Sequence, residues 1–151
     1  MANSQAMTTS FKGEILTATH NFGTAPIRAA TTADTFKAAL YVTTGSLGAG
    51  TTAYSVTDEV SGSGYTPGGV AVTNATAPAT SGTTAYWTPS ASITYSNVTL
   101  STAFDAVLIY NSSQSNKAVS VHTFGSQTIT AGTFTLLMPA NAAGTALLNI
   151  A

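Results

Sequence analysis

The chain has 151 residues, of which 44% are hydrophobic and only 6% are charged, and its net charge is −1. A typical soluble domain has about 25% charged residues, so the surface must be built mainly from Thr, Ser, Asn and Gln. The four Lys and Arg residues form no basic stripe, which disfavours a nucleic-acid partner, and the absence of Cys excludes disulfides and thiolate metal sites.

No run of the sequence reaches the roughly 18 apolar residues of a membrane span, so no membrane partner is expected. Residues 1–10 lack the basic start and apolar stretch of a secretion signal, which predicts release into the cytoplasm. No repeat, linker or composition break divides the chain. We expect a single domain over residues 1–151, with an N-terminal arm or helix in residues 1–25 and a β-domain in residues 26–151.

The first predicted element is a helix over residues 4–22. Gly23 and Pro26 supply the signals that would end it. Four apolar side chains recur at helical spacing on one face, and we expect that face to pack on the core: Met7, Phe11, Ile15 and Leu16.

From residue 35 onward the sequence predicts strands and turns. Residues 36–43 alternate with a period of two, which favours a strand with one face inward. Residues 53–56 and 70–72 are short strand candidates. Between them, residues 61–69 contain four glycines and one proline, which predicts a loop with special backbone angles.

The second half of the chain repeats this pattern. Residues 73–90 are either a long surface loop or a loose hairpin anchored by Tyr86 and Trp87. Further strands are predicted at residues 93–100, 105–110, 118–123, 128–130, 133–137 and 146–150, with a turn at residues 111–116 and a tight turn at Ala131-Gly132. Short strands at about ten-residue spacing predict a mainly β, single-domain antiparallel β-sandwich or barrel, jelly-roll-like, with a short N-terminal helix.

The ionisable residues give weak support to any chemical site. His20 and His122 are the only imidazoles and lie on separate predicted elements, so we expect no metal and no cofactor. Asp58 and Glu59 are adjacent, and neighbours on an extended chain point to opposite faces, so they cannot form a glycosidase pair. We expect one of them to cap the glycine loop through its backbone N–H groups, and we expect no catalytic residues. The loop itself lacks the Lys and the following helix of a phosphate-binding loop.

Aromatic residues are concentrated in the middle of the chain, where they suit either a β-sheet core or an interface or carbohydrate groove. The N-terminal segment and residues 62–69 look specialised beyond the needs of the core. The interface candidates are therefore Phe11, Tyr65, Pro67, Tyr86 and Trp87.

Four local patterns resemble a known family. They are DTFKAALY at residues 34–41, YSVTDEVSGSGYTPGG at 54–69, FDAVLIYN at 104–111 and FGSQTITAGTF at 124–134. Their order and spacing resemble the head decoration, or capsid cement, proteins of tailed bacteriophages, over residues 11–150.

The resemblance implies a virion structural protein on the capsid exterior. Its partner would be the major capsid protein, whose neighbouring subunits it would bridge, and it would self-associate, with a homotrimer favoured over a homodimer. Two alternatives stay open. One is a phage tail or receptor- and glycan-binding module, and the other is a virion-bound glycan hydrolase using Asp58, Glu59 or Asp105.

Overall fold

A computed structural model describes residues 2–16, 19–20, 22 and 33–151, and β-strands dominate them. The mainly β, antiparallel class expected from the sequence is confirmed. The elements are β1 (Ala6–Met7), α1 (Thr9–Leu16), β2 (Phe36–Val42), β3 (Val70–Val72), β4 (Ala79–Ser81), β5 (Thr84–Trp87), β6 (Ile93–Asn111), β7 (Lys117–Leu136) and β8 (Leu148–Ile150).

The strands form two antiparallel sheets. The larger sheet has the order β1-β7-β6-β2-β3, and the smaller has the order β4-β5-β8. Both orders are open at their ends in the described part of the chain, so the arrangement is that of a β-sandwich, and the barrel alternative gains no support. No helix among the described residues has the length and apolar character needed to cross a membrane.

Strand β2 lies between β6 and β3 in the larger sheet and is buried on both faces, whereas its alternating sequence predicts one inward face. Ala38 and Leu40 belong to the main core. Ala39 and Tyr41, on the opposite face, pack in a second cluster that Leu47 and Tyr54 cover. The segment after β2 thus forms an extra layer, which the alternation of small and aromatic residues cannot reveal.

Strands β6 and β7 form one long hairpin, although the sequence predicts two separate strands over β6 and three over β7. Five shifts in register mark β-bulges, and extra residues in one strand are compensated by extra residues in the other. The Ala131-Gly132 pair lies at such a bulge, with Ala131 at φ 46°, and not at a turn. The tight turn predicted at Ala131-Gly132 is therefore wrong, because these residues form a bulge inside a continuous strand.

The bulges let this hairpin fold back over the sheet that it starts in. Ala38 of β2 pairs with Ile109 of β6, and its carbonyl oxygen also accepts a hydrogen bond of 2.8 Å from the Tyr95 hydroxyl. An extended strand would separate residues 95 and 109 by about 46 Å. Strand β6 therefore bends, so that Tyr95 in its first part reaches the same residue of β2 that its last part pairs with, as in strands that turn corners at bulges.

The N-terminal segment differs from the predicted helix. Helix α1 is only eight residues long, and β1 precedes it on the edge of β7. Thr8 caps the helix, since its hydroxyl oxygen accepts from the N–H of Phe11 at 3.4 Å. Of the predicted apolar face, Phe11 is buried but Ile15 is 38% exposed, and Met7 lies on β1. The side chain of Leu16 and the stop signals Gly23 and Pro26 lie outside the described residues.

The structure confirms some of the remaining predicted segments and contradicts others. The loop at residues 61–69 and the strand at residues 70–72 are confirmed. Residues 53–56 are not a strand, and Ala53 forms only a single bridge with Lys117. Residues 73–90 contain the hairpin alternative, β4 and β5. Trp87 anchors it, because its side chain is 2% exposed and its indole N–H donates to the carbonyl of Thr76 at 2.8 Å.

Candidate interaction surface

The glycine loop is fastened to the sheet by the carboxylate of Glu59. This carboxylate accepts hydrogen bonds from the Tyr54 hydroxyl at 2.6 Å, the Tyr65 hydroxyl at 2.7 Å and the backbone N–H of Gly68 at 2.8 Å. The predicted cap of the loop is thus confirmed for Glu59. Its carboxylate satisfies a backbone donor that the tight loop could not pair by itself.

Tyrosine hydroxyls complete the attachment. The Tyr65 hydroxyl oxygen also accepts from the backbone N–H of Leu40 at 3.0 Å, and the Tyr110 hydroxyl donates to the Gly68 carbonyl at 2.9 Å. Burial, reinforced by the hydrogen bond to Glu59, raises the pKa of Tyr65 well above its usual range. Tyr65 therefore remains a neutral donor, and the loop presents exposed Thr66 and Pro67 from a fixed base.

The other two acids of the hydrolase alternative occupy separate settings. Asp58 is exposed, with a backbone φ of 62°. Asp105 lies where β6 bulges beside β2, and its carboxylate accepts from the Asn3 side-chain amide at 2.8 Å. Within the described residues no group of three or more His, Asp and Glu could hold a metal ion.

A second polar network joins α1 to the β6–β7 turn. The imidazole Nε2 of His20 lies 2.6 Å from the Glu14 carboxylate, which Lys117 also contacts at 2.5 Å. The side-chain nitrogen of Asn111 lies 3.0 Å from His20 Nδ1 and 2.9 Å from the carboxylate of Asp34. Sequence patterns give no signal for this network, because its members come from elements separated by up to 103 residues.

Asn111 determines the proton position on His20. Its amide oxygen accepts from the backbone N–H of Ser113 at 3.1 Å, so its nitrogen must donate to Asp34 and His20. His20 Nδ1 is therefore an acceptor, and Nε2–H donates to Glu14. Burial lowers the pKa of His20 despite the opposing effect of Glu14, which agrees with a neutral ring. Burial acts to raise the pKa of Glu14, but hydrogen bonds from Lys117 and His20 outweigh it and lower that pKa.

His122 has different surroundings. Its Nε2 lies 2.9 Å from the Ser120 hydroxyl, and it lines a cavity with apolar residues that include Ile93 and Phe124. Burial lowers the pKa of His122 to about 4. The two imidazoles thus belong to unrelated settings, one polar and one largely apolar.

An apolar depression lies beside α1 and the smaller sheet. Its volume is about 150 Å³, and Phe11 and Trp87 form part of its lining. Ile15 and Ile150, also in the lining, are 38% and 42% exposed. Tyr86 forms another part of the wall. Such a depression can take an apolar side chain from a partner protein.

The predicted interface residues divide between this depression and the glycine loop. Phe11 and Trp87 are 1% and 2% exposed, so they support the depression from the core and offer little contact area. Tyr86 and Tyr65 are half-buried, and Pro67 is exposed. Sequence reasoning missed Ile15 and Ile150 as surface residues, because exposure of an isolated Ile depends on the tertiary neighbours.

No protein-family model, curated protein or solved structure matches this chain.

Proposed function

We propose that this protein is a virion structural protein, of the capsid decoration or cement type, that binds the outside of a protein shell and stabilises contacts between major capsid subunits. The observation that carries the proposal is that four of the five acidic side chains are engaged in hydrogen bonds within the fold. Glu14, Asp34, Glu59 and Asp105 all accept internal hydrogen bonds, and the fifth acid, Asp58, is exposed.

A surface of this kind favours binding to a large, repeating protein partner. Residues 60–104 carry no charged side chain, so their exposed part offers hydroxyls, amides and apolar groups. Contacts of this chemistry are scarcely screened by salt, unlike exposed ion pairs. Attachment at many equivalent positions of a lattice adds avidity to individually weak contacts.

Two surfaces are candidates for the shell contact. The apolar depression with Ile15, Tyr86 and Ile150 offers a recess for an apolar side chain. The glycine loop offers a rigid projection at Pro67. Both are held by internal hydrogen bonds or core packing, so little ordering entropy is lost when they bind.

The tail or glycan-binding alternative receives less support from the aromatic residues. Tyr41, Tyr95 and Trp87 are at most 2% exposed, and their rings are therefore not available as a stacking platform. Saturable adsorption of the purified protein to host cells or polysaccharide would favour this alternative instead. The hydrolase alternative would require turnover that is lost when Asp58, Glu59 and Asp105 are replaced by Asn or Gln.

The deciding experiment has two parts. Quantitative mass spectrometry of virions should give a copy number equal to that of the major capsid protein or a simple lattice fraction of it. Adding the purified protein to shells that lack it should then raise their heat resistance, and binding should be nearly unchanged between low and high salt. A few copies per virion, or no gain in heat resistance, would refute the decoration function.

A further inference from the structure

Two stretches of exposed strand edge in the larger sheet, one on β7 and one on β6, are covered by other segments of the same chain. Strand β1 pairs with β7 at Ser120 and Val121, and Thr8 N–H continues the cover by donating to the Val119 carbonyl at 3.1 Å. On the outer side of β6, Thr99 N–H donates to the carbonyl of Ser63 at 2.9 Å.

The glycine loop is shaped for this cover of β6. A Cβ atom on Gly64 would lie 2.2 Å from the carbonyl oxygen of Asn97, and the φ of Gly64 is 77°. Only glycine permits so close an approach in this backbone conformation. The glycine loop therefore covers the outer edge of β6, and its conformation requires glycine at this position.

The distal part of β7 has no comparable cover. Across the described residues, positions 123–136 of β7 form ladder pairs with β6 alone. Beyond the bulge at Ala131 one further register shift, between Gly132 and Phe134, places its extra residue in β6, and the pairing is then regular, with Phe134 opposite Tyr95 and Thr135 opposite Thr94. No described segment pairs with the outer edge of residues 132–136, so among the described residues this edge presents backbone N–H and C=O groups that another strand could pair with.

This edge also lacks chemical protection. Natural edge strands are kept from pairing by charged residues, Pro, bulges or short length. Residues 118–138 contain no Lys, Arg, Asp, Glu or Pro. Bulges at residues 124–126 and at Ala131 interrupt the earlier part of the edge, whereas the shift between Gly132 and Phe134 adds a residue to β6 and none to β7, so residues 132–136 of β7 carry no inserted residue. Leu137, directly after this stretch, is 81% exposed.

We propose that residues 132–137 form a self-association site, at which β7 pairs antiparallel with β7 of a second copy about a two-fold axis near Phe134. An edge strand is complementary to itself only in this antiparallel arrangement. Thr133 then lies opposite Thr135 of the second copy, and Thr–Thr pairs are favourable across antiparallel strands. The absence of charge means that two identical edges meet without repulsion.

The contact produces a dimer, in contrast to the trimer favoured by the sequence. Pairing over about six residues buries less than the roughly 800 Å² per partner of a standard stable interface, so the dimer is weak in solution. Neighbouring copies on a lattice would be held close enough to strengthen it. The proposal does not depend on the shell-binding function, because it concerns the purified protein alone.

Disulfide trapping provides the first test, since the chain contains no Cys. Thr133→Cys and Thr135→Cys proteins, mixed and oxidised with copper–phenanthroline, should form covalent dimers roughly tenfold faster than Thr94→Cys protein. Thr94 is the matched control because it lies opposite Thr135, with their hydroxyls 3.3 Å apart, but on the inner strand of the pair. Trapping no faster than in the control would overturn the proposal.

Charge exchange provides the second test. Sedimentation velocity should show a concentration-dependent dimer for the wild type, and monomers for Thr133→Lys/Thr135→Lys and for Thr133→Glu/Thr135→Glu. An equimolar mixture of the two variants should dimerise again, which a misfolded variant could not do. Thr94→Lys/Ser96→Lys is the control and should dimerise as the wild type does. A wild type that stays monomeric up to about 1 mM, or a Lys variant that dimerises normally, would refute the proposal.

Discussion

The rings of Phe124 and Phe134 pack with their centroids 5.3 Å apart, although both belong to strand β7. A fully extended strand would place them about 33 Å apart. The bulges between them therefore turn the strand back on itself, and Phe104 of β6 fills the bend at 6.0 Å and 5.1 Å from the two rings. This aromatic group packs inside the bend of the β6–β7 hairpin and holds its two parts together.

Replacing Phe134 with Ala should therefore loosen the bend as well as remove apolar contacts. We expect a loss of about 2–4 kcal/mol in the free energy of unfolding, measured by urea denaturation. Thr133→Ala, at the exposed neighbouring position, is the control and should change that free energy by less than about 0.5 kcal/mol. Similar losses in the two variants would show that the aromatic group does not hold the bend.

Glu59→Ala should destabilise the protein by about 2–4 kcal/mol, because it leaves the Gly68 N–H and two tyrosine hydroxyls without their shared acceptor. Asp58→Asn is the matched control: its side chain is exposed, and Asn tolerates the positive φ at this position. Chemical denaturation of both variants measures the difference. A Glu59→Ala protein as stable as Asp58→Asn would contradict the role assigned to the carboxylate.

Gly69→Ala should prevent stable folding. Its φ is 71°, and an added Cβ would lie 1.7 Å from the carbonyl oxygen of Ala38. This oxygen belongs to the backbone of β2, which is paired on both sides and cannot move aside. We expect a loss above about 3 kcal/mol or an insoluble product. Gly125→Ala, where an added Cβ meets nothing within 4 Å, should retain nearly normal expression and thermal stability. Equal behaviour of the two proteins would disprove the close approach.

Acid should destabilise the folded protein through His122. Its pKa is about 4 when folded and about 6.5 when unfolded, so between these values the unfolded chain binds a proton that the folded protein does not. The stabilisation is complete above about pH 6.5 and is lost as the pH falls towards 4, and His20 adds a loss of the same sign.

Urea midpoints between pH 7.5 and 4.5 would measure this effect. We expect the wild type to lose a few kcal/mol over this range and His122→Gln to lose distinctly less, because Gln has no proton to take up. A pH dependence unchanged by His122→Gln would show that the imidazole is accessible to protons in the folded state.

Ile150→Asp should weaken shell binding by roughly tenfold or more, since it places a charge at the mouth of the apolar depression. Val56→Asp is the control, because Val56 is 67% exposed and lies outside that depression. Titration of bare shells with each purified protein gives the comparison. Equal weakening by both substitutions would indicate a general effect of charge, and no weakening by either would place the contact elsewhere.

Much of the fold could be read from local patterns. The glycine loop, strand β3 and the β6–β7 turn all depend on nearby residues, and all were predicted. A carboxylate cap was predicted at Asp58 or Glu59, and the structure places it at Glu59. The tight turn predicted at Ala131-Gly132 was wrong, because whether such a pair makes a turn or a bulge depends on the strand beside it. The N-terminal strand β1 was missed because its two residues become a strand only through pairing with β7.

The sequence by itself determined that this protein is a weakly charged β-domain with few ionisable groups for chemistry. The low charge follows from the residue types, and the β class follows from their period along the chain. The tertiary structure decided which groups meet. It joined His20 to Asn111 across 91 positions in the chain, placed Ile150 beside Ile15, and left the edge of residues 132–136 without a cover from any described segment. These relationships depend on bulges and on the return path of a long hairpin, whose geometry is set by packing between distant segments.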